Sequence, residues 1–441
     1  GLENIGASTV TMRKKIAEMA HFFGIHSLLN KKVHQLSGGQ KQLINLASVL
    51  LMEPNILLLD EPTSQLDPVA AKNFLQILKQ MNEEFGITVI IVEHRLEEVF
   101  PLADQVLVLD QGKLIMKGSP REVINTLWEQ KHKTMLSYLP STSRLYLEHT
   151  EEVIPDQIPL SVKEGKRWIE QLNIPVKDKK IPKKLKINQK PVIELKNIAF
   201  QYEKKEERVL NGLSLVVNEG DWISIVGGNG TGKSTLLKII GGIQSPLKGS
   251  IKFQGKRITK PNPSQIGYLP QNPKALFVHD TVRDHLYGTI RHLQLENGEE
   301  KLHRLISLFK IEPLMDRHPY DVSGGEMQKI ALITVLLPSP KILLLDEPTK
   351  GIDPEMKQHL GQLLKKLQTQ GLTIIMVTHD IEFAAFYTNI CGMMFQGEIT
   401  TIDSTANFFH GNAFYTTMVN RITRDSAVPE VLTVEEAREK W

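Results

Sequence analysis

A glycine-rich string containing a lysine and a serine, GGNGTGKS at residues 227–234, is the strongest chemical signal in the sequence. It follows the apolar run WISIV and precedes the helical pattern TLLKIIGGI, so a strand, a loop and a helix are predicted in that order. Glycines let backbone amides turn toward phosphate oxygens, and the helix dipole adds positive charge. Lys233 would neutralise β and γ phosphates, and the Ser234 hydroxyl would bind Mg²⁺. A chance match in a glycine-rich turn is the alternative.

Two acids and a histidine follow apolar runs later in the chain. Asp346 ends the run ILLLD, and ligands bind at the carboxyl ends of strands in open α/β sheets, so it suits Mg²⁺ through a water. Glu347 begins the next loop and could orient an attacking water. His379, in VTHD after another apolar run, could donate to the γ phosphate. A solvated turn for the acids and a structural role for the histidine are the alternatives.

Most of these motifs occur twice. SGGQ at residues 37–40 and ILLLDEPT at 56–63 return as SGGE at 323–326 and ILLLDEPT at 342–349, and His94 in VEHR corresponds to His379. Internal repetition on this scale predicts two related domains. The glycine-rich string occurs once, and Gly1 aligns near Gly288, so we expect the first copy to be N-terminally truncated and to lack the part that corresponds to residues 191–287.

Composition narrows the class of protein. The net charge of +3 is too small to imply nucleic acid binding, and a single cysteine excludes both an internal disulfide and a cysteine-ligated iron–sulfur cluster. No apolar stretch approaches the roughly 20 residues that a membrane helix needs, and the opening segment has no apolar core of signal-peptide length. These features predict a cytosolic protein that does not span a bilayer.

Short apolar runs separated by helical segments predict parallel strands buried on both faces, in both copies. The runs of the first copy begin at Ile56, Thr88 and Gln105. Without the missing strands, we expect the Ile56 and Thr88 strands to expose apolar surface. Residues 127–190 lose this rhythm and contain several prolines, which indicates a connector. Its lysines between Lys177 and Lys190 form either a solvated face or a contact with anionic lipid.

With these motifs in hand, both halves resemble ATP-binding cassette (ABC) ATPase domains. The resemblance covers nearly all of residues 1–126 and 191–411, with 127–190 as the linker and 412–441 as a C-terminal tail. It implies an α/β fold made of two P-loop NTPase domains with parallel-sheet cores and helical subdomains, the first of which lacks its N-terminal part. It also implies an ATPase that uses ATP and Mg²⁺.

The family pattern assigns roles to residues of this sequence. Residues 227–234 become the Walker A loop, Asp60 and Asp346 the Walker B aspartates, and Glu61 and Glu347 the catalytic bases. Gln271, in LPQNP, becomes the Q-loop residue that touches Mg²⁺ and water, and His94 and His379 the switch histidines. The expected nucleotide-binding residues are Gly227, Gly228, Asn229, Gly230, Thr231, Gly232, Lys233, Ser234, Thr235 and Tyr202. Tyr202 is either the adenine platform or a plain strand residue.

SGGQ and SGGE resemble the family's signature motifs. Each serine precedes two glycines and an amphipathic helix, where unpaired amides could meet an anion, although a capped helix start is the alternative. In the family, a signature completes the site of the opposing domain. The resemblance therefore implies that the first signature completes the site at the Lys233 loop; this set is Ser37, Gly38, Gly39 and Gln40. It also implies that the second signature faces a site without a glycine-rich loop; this set is Ser323, Gly324, Gly325 and Glu326.

Two functions compete. VEHRLEEVF, VTHDIEFAA and LPSTSRLYLE are similar to duplicated ATPases of energy-coupling factor (ECF) importers, especially those of thiamine or its hydroxymethylpyrimidine (HMP) precursor. This resemblance implies a translocase peripheral to the cytoplasmic face of the membrane. Its partners would be a transmembrane coupling protein and a substrate-binding subunit, with no nucleic acid. The alternative is a soluble tandem-cassette translation factor that acts on the ribosome, although such proteins usually read SHDR at the histidine motif.

Overall fold

The computed structural model describes residues 2–64, 66–131, 135–172, 190–203, 207–259, 261 and 264–441. The chain forms two compact units: the first contains Gly1–Pro140 and Val153–Ser161, and the second contains Ser141–Glu152 and Val162–Trp441. The predicted lysine-rich face lies outside the described residues, apart from Lys190. Within the described part of the chain, every helix is too short or too polar to cross a bilayer.

The first unit holds five helices and four strands among its described residues. The helices are α1 (Thr9–Phe22), α2 (Gly38–Leu50), α3 (Pro68–Phe85), α4 (Leu96–Val99) and α5 (Pro120–Glu129); the strands are β1 (Ile56–Asp60), β2 (Thr88–Val92), β3 (Val106–Asp110) and β4 (Lys113–Gly118). Side-chain caps fix several helix starts: Ser37 caps α2 and Asp67 caps α3, where Pro68 supplies the preset φ of a first helical residue. α3 contributes more buried residues to the core of this unit than any other helix, among them Phe74, Leu78 and Met81.

The strands of the first unit differ from the predicted pattern of burial on both faces. β1 and β2 pair in parallel, as predicted, but as an isolated two-stranded sheet. Ile56, Ile90 and Val92 are exposed, and Leu58 is 72 % exposed. The expected exposure of apolar surface on these two strands is therefore confirmed, because a two-stranded sheet leaves most of each strand uncovered.

The third predicted strand of the first unit does not extend this parallel sheet. β3 pairs antiparallel with β4 in a separate two-stranded sheet. In the second unit, the strand Trp222–Val226 lies between the counterparts of β2 and β3 and pairs with both. The described residues of the first unit contain no such strand. The prediction that the Gln105 run forms a parallel strand was therefore wrong.

The second unit begins with α6 (Ser141–His149) and α7 (Val162–Ile169). Its strands are β5 (Pro191–Phe200), β6 (Leu210–Asn218), β7 (Trp222–Val226), β8 (Lys248–Phe253), β9 (Lys256–Ile258), β10 (Ile266–Leu269), β11 (Ile342–Asp346), β12 (Thr373–Val377), β13 (Ile390–Phe395) and β14 (Glu398–Ser404). Its other helices are α8 (Lys233–Ile240), α9 (Val282–His292), α10 (Gly298–Phe309), α11 (Gly324–Leu336), α12 (Pro354–Thr369), α13 (Ile381–Tyr387), α14 (Thr405–Gly411), α15 (Met418–Thr423) and α16 (Val434–Lys440).

A six-stranded sheet in the order β10-β11-β12-β7-β13-β14 forms the centre of the second unit. The first five strands are parallel, and β14 is antiparallel. Every residue of β7, β11 and β12 is buried, which explains their unbroken apolar runs. A second, antiparallel sheet has the order β6-β5-β8-β9. Because β7, β11 and β12 are adjacent and parallel, the loops that follow them lie at one edge of the sheet.

The predicted connector and tail contribute one helical cluster to the second unit. α6 and α7 pack against α15, and α16 packs against α6, around the buried side chains of Leu145, Ile169, Val419, Ile422, Val428, Val431, Val434 and Ala437. The cluster is attached to the central sheet, since the Met418 amide donates to Glu382 Oε1 at 2.8 Å and Leu432 joins the core beside β7. We name it the connector–tail cluster. The predicted domain boundaries stay predictions.

Candidate functional site

The glycine-rich loop connects the buried β7 to α8, as the sequence predicts. Two of its glycines are required by sterics as well as by conformation. Gly227 has φ +153°, and a Cβ there would lie 2.3 Å from the Met394 carbonyl oxygen; Gly232 has φ +103°, and a Cβ would lie 2.9 Å from the Val209 carbonyl oxygen. Because the loop packs closely against neighbouring backbone, only glycine fits at these two positions.

Lys233 places its ammonium group inside the loop. Nζ donates to the carbonyl oxygens of Gly227 at 2.9 Å and Gly228 at 2.8 Å, and the side chain is almost fully buried. A buried ammonium requires hydrogen-bond acceptors, and the loop carbonyls supply two of them. The positive charge is thus concentrated at the N-terminus of α8, where the helix dipole adds to it.

Ser234 and Asp346 meet at the edge of the sheet. Ser234 Oγ donates to Asp346 Oδ1 at 2.9 Å, and Tyr268 Oη donates to Oδ2 of the same carboxylate at 3.2 Å. Asp346 is only 2 % exposed. Burial raises its pKa above the usual value, while the two hydrogen bonds act in the opposite direction. A hydroxyl and a carboxylate are thus held together at the carboxyl end of β11.

Glu347 and His379 form the second pair of the site. His379 Nε2 lies 3.2 Å from Glu347 Oε1, and the His379 amide donates to Oε2 at 3.0 Å. The same Nε2 lies 2.9 Å from Asn229 Oδ1, in the glycine-rich loop. Glu347 has φ +51°, a backbone conformation that side chains rarely adopt and that often marks functional positions. This geometry links the loop, the acid and the histidine in one chain of contacts.

The pKa of Glu347 is strongly perturbed. Burial raises it to about 7, although the charge of Lys233 and the His379 amide both act to lower it. A carboxyl group with a pKa near neutrality can accept or release a proton under physiological conditions, which suits a general base. Such a shift beside a specific set of charged groups is typical of a functional site.

Tyr202 and Gln271 lie nearby but make weaker connections. Tyr202 is 52 % exposed, and its hydroxyl lies 3.0 Å from Thr235 Oγ1 on α8. Its ring packs edge-on against Phe200, which leaves ring surface available for stacking. Gln271 is exposed and follows β10, the strand beside β11. It therefore shares the edge of the sheet with Asp346.

Both signature strings form the same capped helix start. The Gln40 amide donates to Ser37 Oγ at 3.3 Å, and the Ser37 amide donates to Gln40 Oε1 at 3.0 Å. Ser323 and Glu326 make the equivalent pair at 2.8 and 3.3 Å. The capping box engages the cap and third helical amides only. The amides of the intervening glycines, Gly38 and Gly39 in the first unit and Gly324 and Gly325 in the second, have no partner within their helices.

The first unit carries a more exposed version of the acid–histidine pair. His94 Nε2 lies 3.0 Å from Glu61 Oε1, but Glu61 is 32 % exposed where Glu347 is 10 % exposed. The His94 amide donates to Glu93 rather than to Glu61. Asp60 is exposed because β1 has one neighbouring strand where β11 has two. The two copies therefore share residues but not their electrostatic surroundings.

Two contacts of the site were not anticipated from the sequence. Tyr268 was not identified as a donor to Asp346, although it lies in β10 directly before LPQNP. Asn229 was expected to touch nucleotide, and its contact with His379 was not foreseen. Neither pairing is encoded by a local motif, because each joins residues far apart in sequence.

Comparison with known proteins agrees with this geometry. The family model described as "ABC transporter" matches residues 2–64 and 210–350. A candidate ABC transporter ATP-binding protein of Bacillus thuringiensis subsp. konkukian is 45 % identical over 443 residues, which cover 99 % of this chain and 79 % of that protein. A counterpart from Clostridium tetani is 34 % identical over 429 residues, covering 96 % of this chain and 94 % of that protein.

A further relative has a more specific description. It is a candidate HMP/thiamine import ATP-binding protein of Bacillus subtilis, YkoD, 32 % identical over 402 residues, which cover 88 % of this chain and 69 % of that protein. The predicted fold class, α/β with P-loop ABC ATPase domains, is confirmed. Given the identity to the Bacillus thuringiensis protein over most of both lengths, the chain belongs to the family of ABC transporter ATP-binding proteins.

Proposed function

We propose that the chain hydrolyses ATP at the glycine-rich loop of the second unit and so drives a membrane importer of the ECF type. The observation that carries the hydrolytic part is the contact between Glu347, with a pKa of about 7, and His379, which also touches Asn229 in the loop. In the family pattern, these three residues would face the γ phosphate.

Each residue of the site has a separate task in this proposal. The loop amides and Lys233 bind the phosphates, and Tyr202 stacks on the adenine. Glu347 orients the attacking water and accepts its proton. His379 holds the Glu347 carboxylate in place through its amide and its ring, and donates toward the γ phosphate. Gln271 adds a polar contact at the same edge of the sheet.

The donor set at Ser234 and Asp346 fits Mg²⁺. Both groups can supply oxygen ligands to a metal ion, and Ser234 Oγ lies 2.9 Å from Asp346 Oδ1. Mg²⁺ is usually held by one or two carboxylates together with substrate phosphates. When bound, the ion would neutralise phosphate charge, while Tyr268 keeps the Asp346 carboxylate oriented.

The second element of the proposal concerns the signature of the first unit. We infer from the family pattern that the free amides of Gly38 and Gly39 complete the anion site at Lys233 when ATP is bound. Two adjacent amides at a helix N-terminus suit an anion, and the capping box leaves these two available. The same pattern would make Asp60, Glu61 and His94 part of the reciprocal site, with Ser323.

The cargo proposal is HMP or thiamine, and it is supported by the description of the Bacillus subtilis relative. Chemistry in the ATP site does not select the cargo, so selection would belong to membrane partners. Those partners would be a transmembrane coupling protein and a substrate-binding subunit, and the chain would lie at the cytoplasmic face of the membrane. The relatives are described as transporter proteins, which gives no support to the translation-factor alternative.

An uptake experiment tests this function. Membrane vesicles that contain the chain and its co-purified partners should take up labelled thiamine or HMP in an ATP-dependent manner. The Glu347→Gln variant should bind ATP and fail to drive uptake. ATP hydrolysis without uptake of either compound would overturn the cargo and leave the ATPase standing, whereas an absence of ATP hydrolysis would overturn the whole proposal.

A further inference from the structure

A cavity of about 280 Å³ lies in the second unit between α10, α11 and α12, away from the glycine-rich loop. Its walls are largely apolar and include Leu308, Phe309, Ile352, Met356, Leu360 and Leu363. The volume is close to the lower end of those that hold small ligands. Neither the glycine-rich loop nor the connector–tail cluster lines this cavity, whereas Gly325 of the second signature lies in its wall.

The charges around the cavity have one sign. Lys310, Lys329 and Lys366 line it, and no acidic residue does. Within the described part of the chain, none of the three ammonium groups forms an ion pair. An apolar space bordered by three cations favours a ligand with an apolar body and one negative charge.

One polar group inside the cavity points to the same ligand class. Gln328 lines the cavity and is only 8 % exposed, and its carboxamide forms no hydrogen bond with any described residue. Its polar atoms keep contact with solvent, so the amide is accessible to a molecule that enters the cavity. A carboxylate in the cavity would accept a hydrogen bond from its NH₂ group.

We propose that this cavity binds a small single-chain carboxylate, with its apolar chain against the side chains of α10 and α12 and its carboxylate near Gln328 and the lysines. This inference goes beyond the proposed transport function and does not depend on the cargo. A ligand here would also affect α11, the helix that begins at the second signature, because α11 and α12 are in close contact: a Cβ at Gly325 would lie 2.8 Å from Met356 Cγ. Occupancy would therefore stiffen the signature of the second unit.

Sodium octanoate is a suitable probe, and Met356 is a suitable reporter because it lines the cavity. The full chain would be labelled with ¹³C-methyl methionine, and the Met356 signal assigned among the 13 methionines by its loss in Met356→Leu. Octanoate should shift this signal saturably. Octylammonium, with the same chain and the opposite charge, should bind at least about tenfold more weakly.

Variants separate the cavity from the exposed apolar strands of the first unit, which could also adsorb octanoate. Leu363→Trp fills the cavity and should abolish the saturable shift of the Met356 signal. The double change of Lys329 and Lys366 to Gln should weaken binding about tenfold. Lys248→Gln, at an exposed lysine of β8, is the matched control and should change nothing.

Gln328→Leu gives a second test that does not rely on filling the cavity. Octanoate binding should weaken severalfold, because one charge-assisted hydrogen bond is lost. The unliganded chain should remain folded. Three results would each overturn the proposal: equal affinity for octanoate and octylammonium, a shift that never saturates, or wild-type octanoate affinity in both Leu363→Trp and Gln328→Leu.

Discussion

The Glu347 carboxylate is held by His379 at both of its oxygens: the ring Nε2 lies 3.2 Å from Oε1, and the backbone amide donates to Oε2 at 3.0 Å. The carboxylate therefore has little rotational freedom. A base fixed in this way is oriented before substrate arrives, which lowers the entropic cost of reaching the reactive geometry.

The pH dependence of ATP hydrolysis should follow Glu347. Because its pKa is about 7, the carboxyl is mostly protonated below that pH and cannot accept a proton from water. Turnover at saturating ATP should therefore fall as the pH drops through about 7, while ATP binding changes little. A pH–rate profile that stays flat down to the ordinary pKa of a glutamate would contradict this assignment.

The stability of the fold should also depend on the ionisation of Glu347, but in the opposite direction: turnover should rise with pH, whereas stability should fall. The folded-state pKa of Glu347 lies above its ordinary value of 4.5, so the fold favours the protonated form, and stability is lost as the pH rises from 4.5 through about 7. Glu347→Gln cannot ionise and should be more stable than wild type above that range, by roughly 3 kcal/mol, with little gain below it. Denaturant unfolding at the two pH limits measures the difference, and Glu299→Gln, at an exposed position of α10, should show none.

Removing the His379 ring should impair chemistry more than binding. His379→Ala loses the ring contacts with Glu347 Oε1 and Asn229, while the backbone amide still donates to Glu347 Oε2. Turnover should fall by about a hundredfold, because a less firmly held base and a missing donor act on the same step. The apparent KM for ATP should change far less. His303→Ala, at an exposed residue of α10, serves as the control, and equal effects of the two substitutions would argue against a role for His379.

Tyr268→Phe isolates the unanticipated donor to Asp346. Loss of the hydroxyl removes one of two hydrogen bonds that stabilise the buried carboxylate, so the Mg²⁺ concentration for half-maximal turnover should rise about tenfold. Tyr287→Phe, at a half-buried tyrosine of α9, should leave that concentration unchanged. If both variants need the same Mg²⁺, Tyr268 does not orient the carboxylate.

The connector–tail cluster depends on one buried amide. Asn420 is fully buried, accepts from Thr416 and Arg424 and donates to Glu430. Asn420→Ala would remove the hydrogen bonds that these buried groups make to the amide. It should lower the free energy of unfolding of the second unit by about 2 to 4 kcal/mol. Asn407→Ala, which removes an exposed bond to Asp403, should cost far less; similar losses for the two variants would mean that the network is not cooperative.

The sequence predicted the central part of the fold and of the site for a physical reason. β7, β11 and β12 are buried on both faces and so appear as continuous apolar runs, and the residues of the site directly follow them. The glycines of the loop could be recognised because their backbone geometry admits no other residue at Gly227 and Gly232. Local pattern and tertiary role coincide in these elements.

Other features could not be predicted because they join distant segments. Leu145 packs with Val434 in the connector–tail cluster, and neither lies in a strongly periodic helix that would indicate burial. β3 has no parallel neighbour because the described residues of the first unit contain no central strand, whereas β13 in the second unit pairs with β14 in the same antiparallel way and also with β7 in parallel; the apolar run at Val106 does not reveal this difference. The bond between Tyr268 and Asp346 similarly depends on the pairing of β10 with β11.

The signature proposal has its own test at Ser37. Ser37→Arg removes the cap of α2 and places a bulky cation beside the amides of Gly38 and Gly39, so hydrolysis at the Lys233 loop should fall while ATP binding persists. Thr9→Arg, at the exposed start of α1, adds the same charge without touching a signature. Full turnover in Ser37→Arg would remove the first unit from the proposed site.

The most direct measurement of the central claim compares ATP binding and ATP turnover in Glu347→Gln, with Lys233→Ala beside it. Glu347→Gln should bind ATP as tightly as wild type and lose turnover by a factor of about a hundred or more, because only the proton acceptor is removed. Lys233→Ala should lose binding itself. Turnover by Glu347→Gln at the wild-type rate would show that this carboxylate does not activate the water, and the proposed mechanism would be wrong.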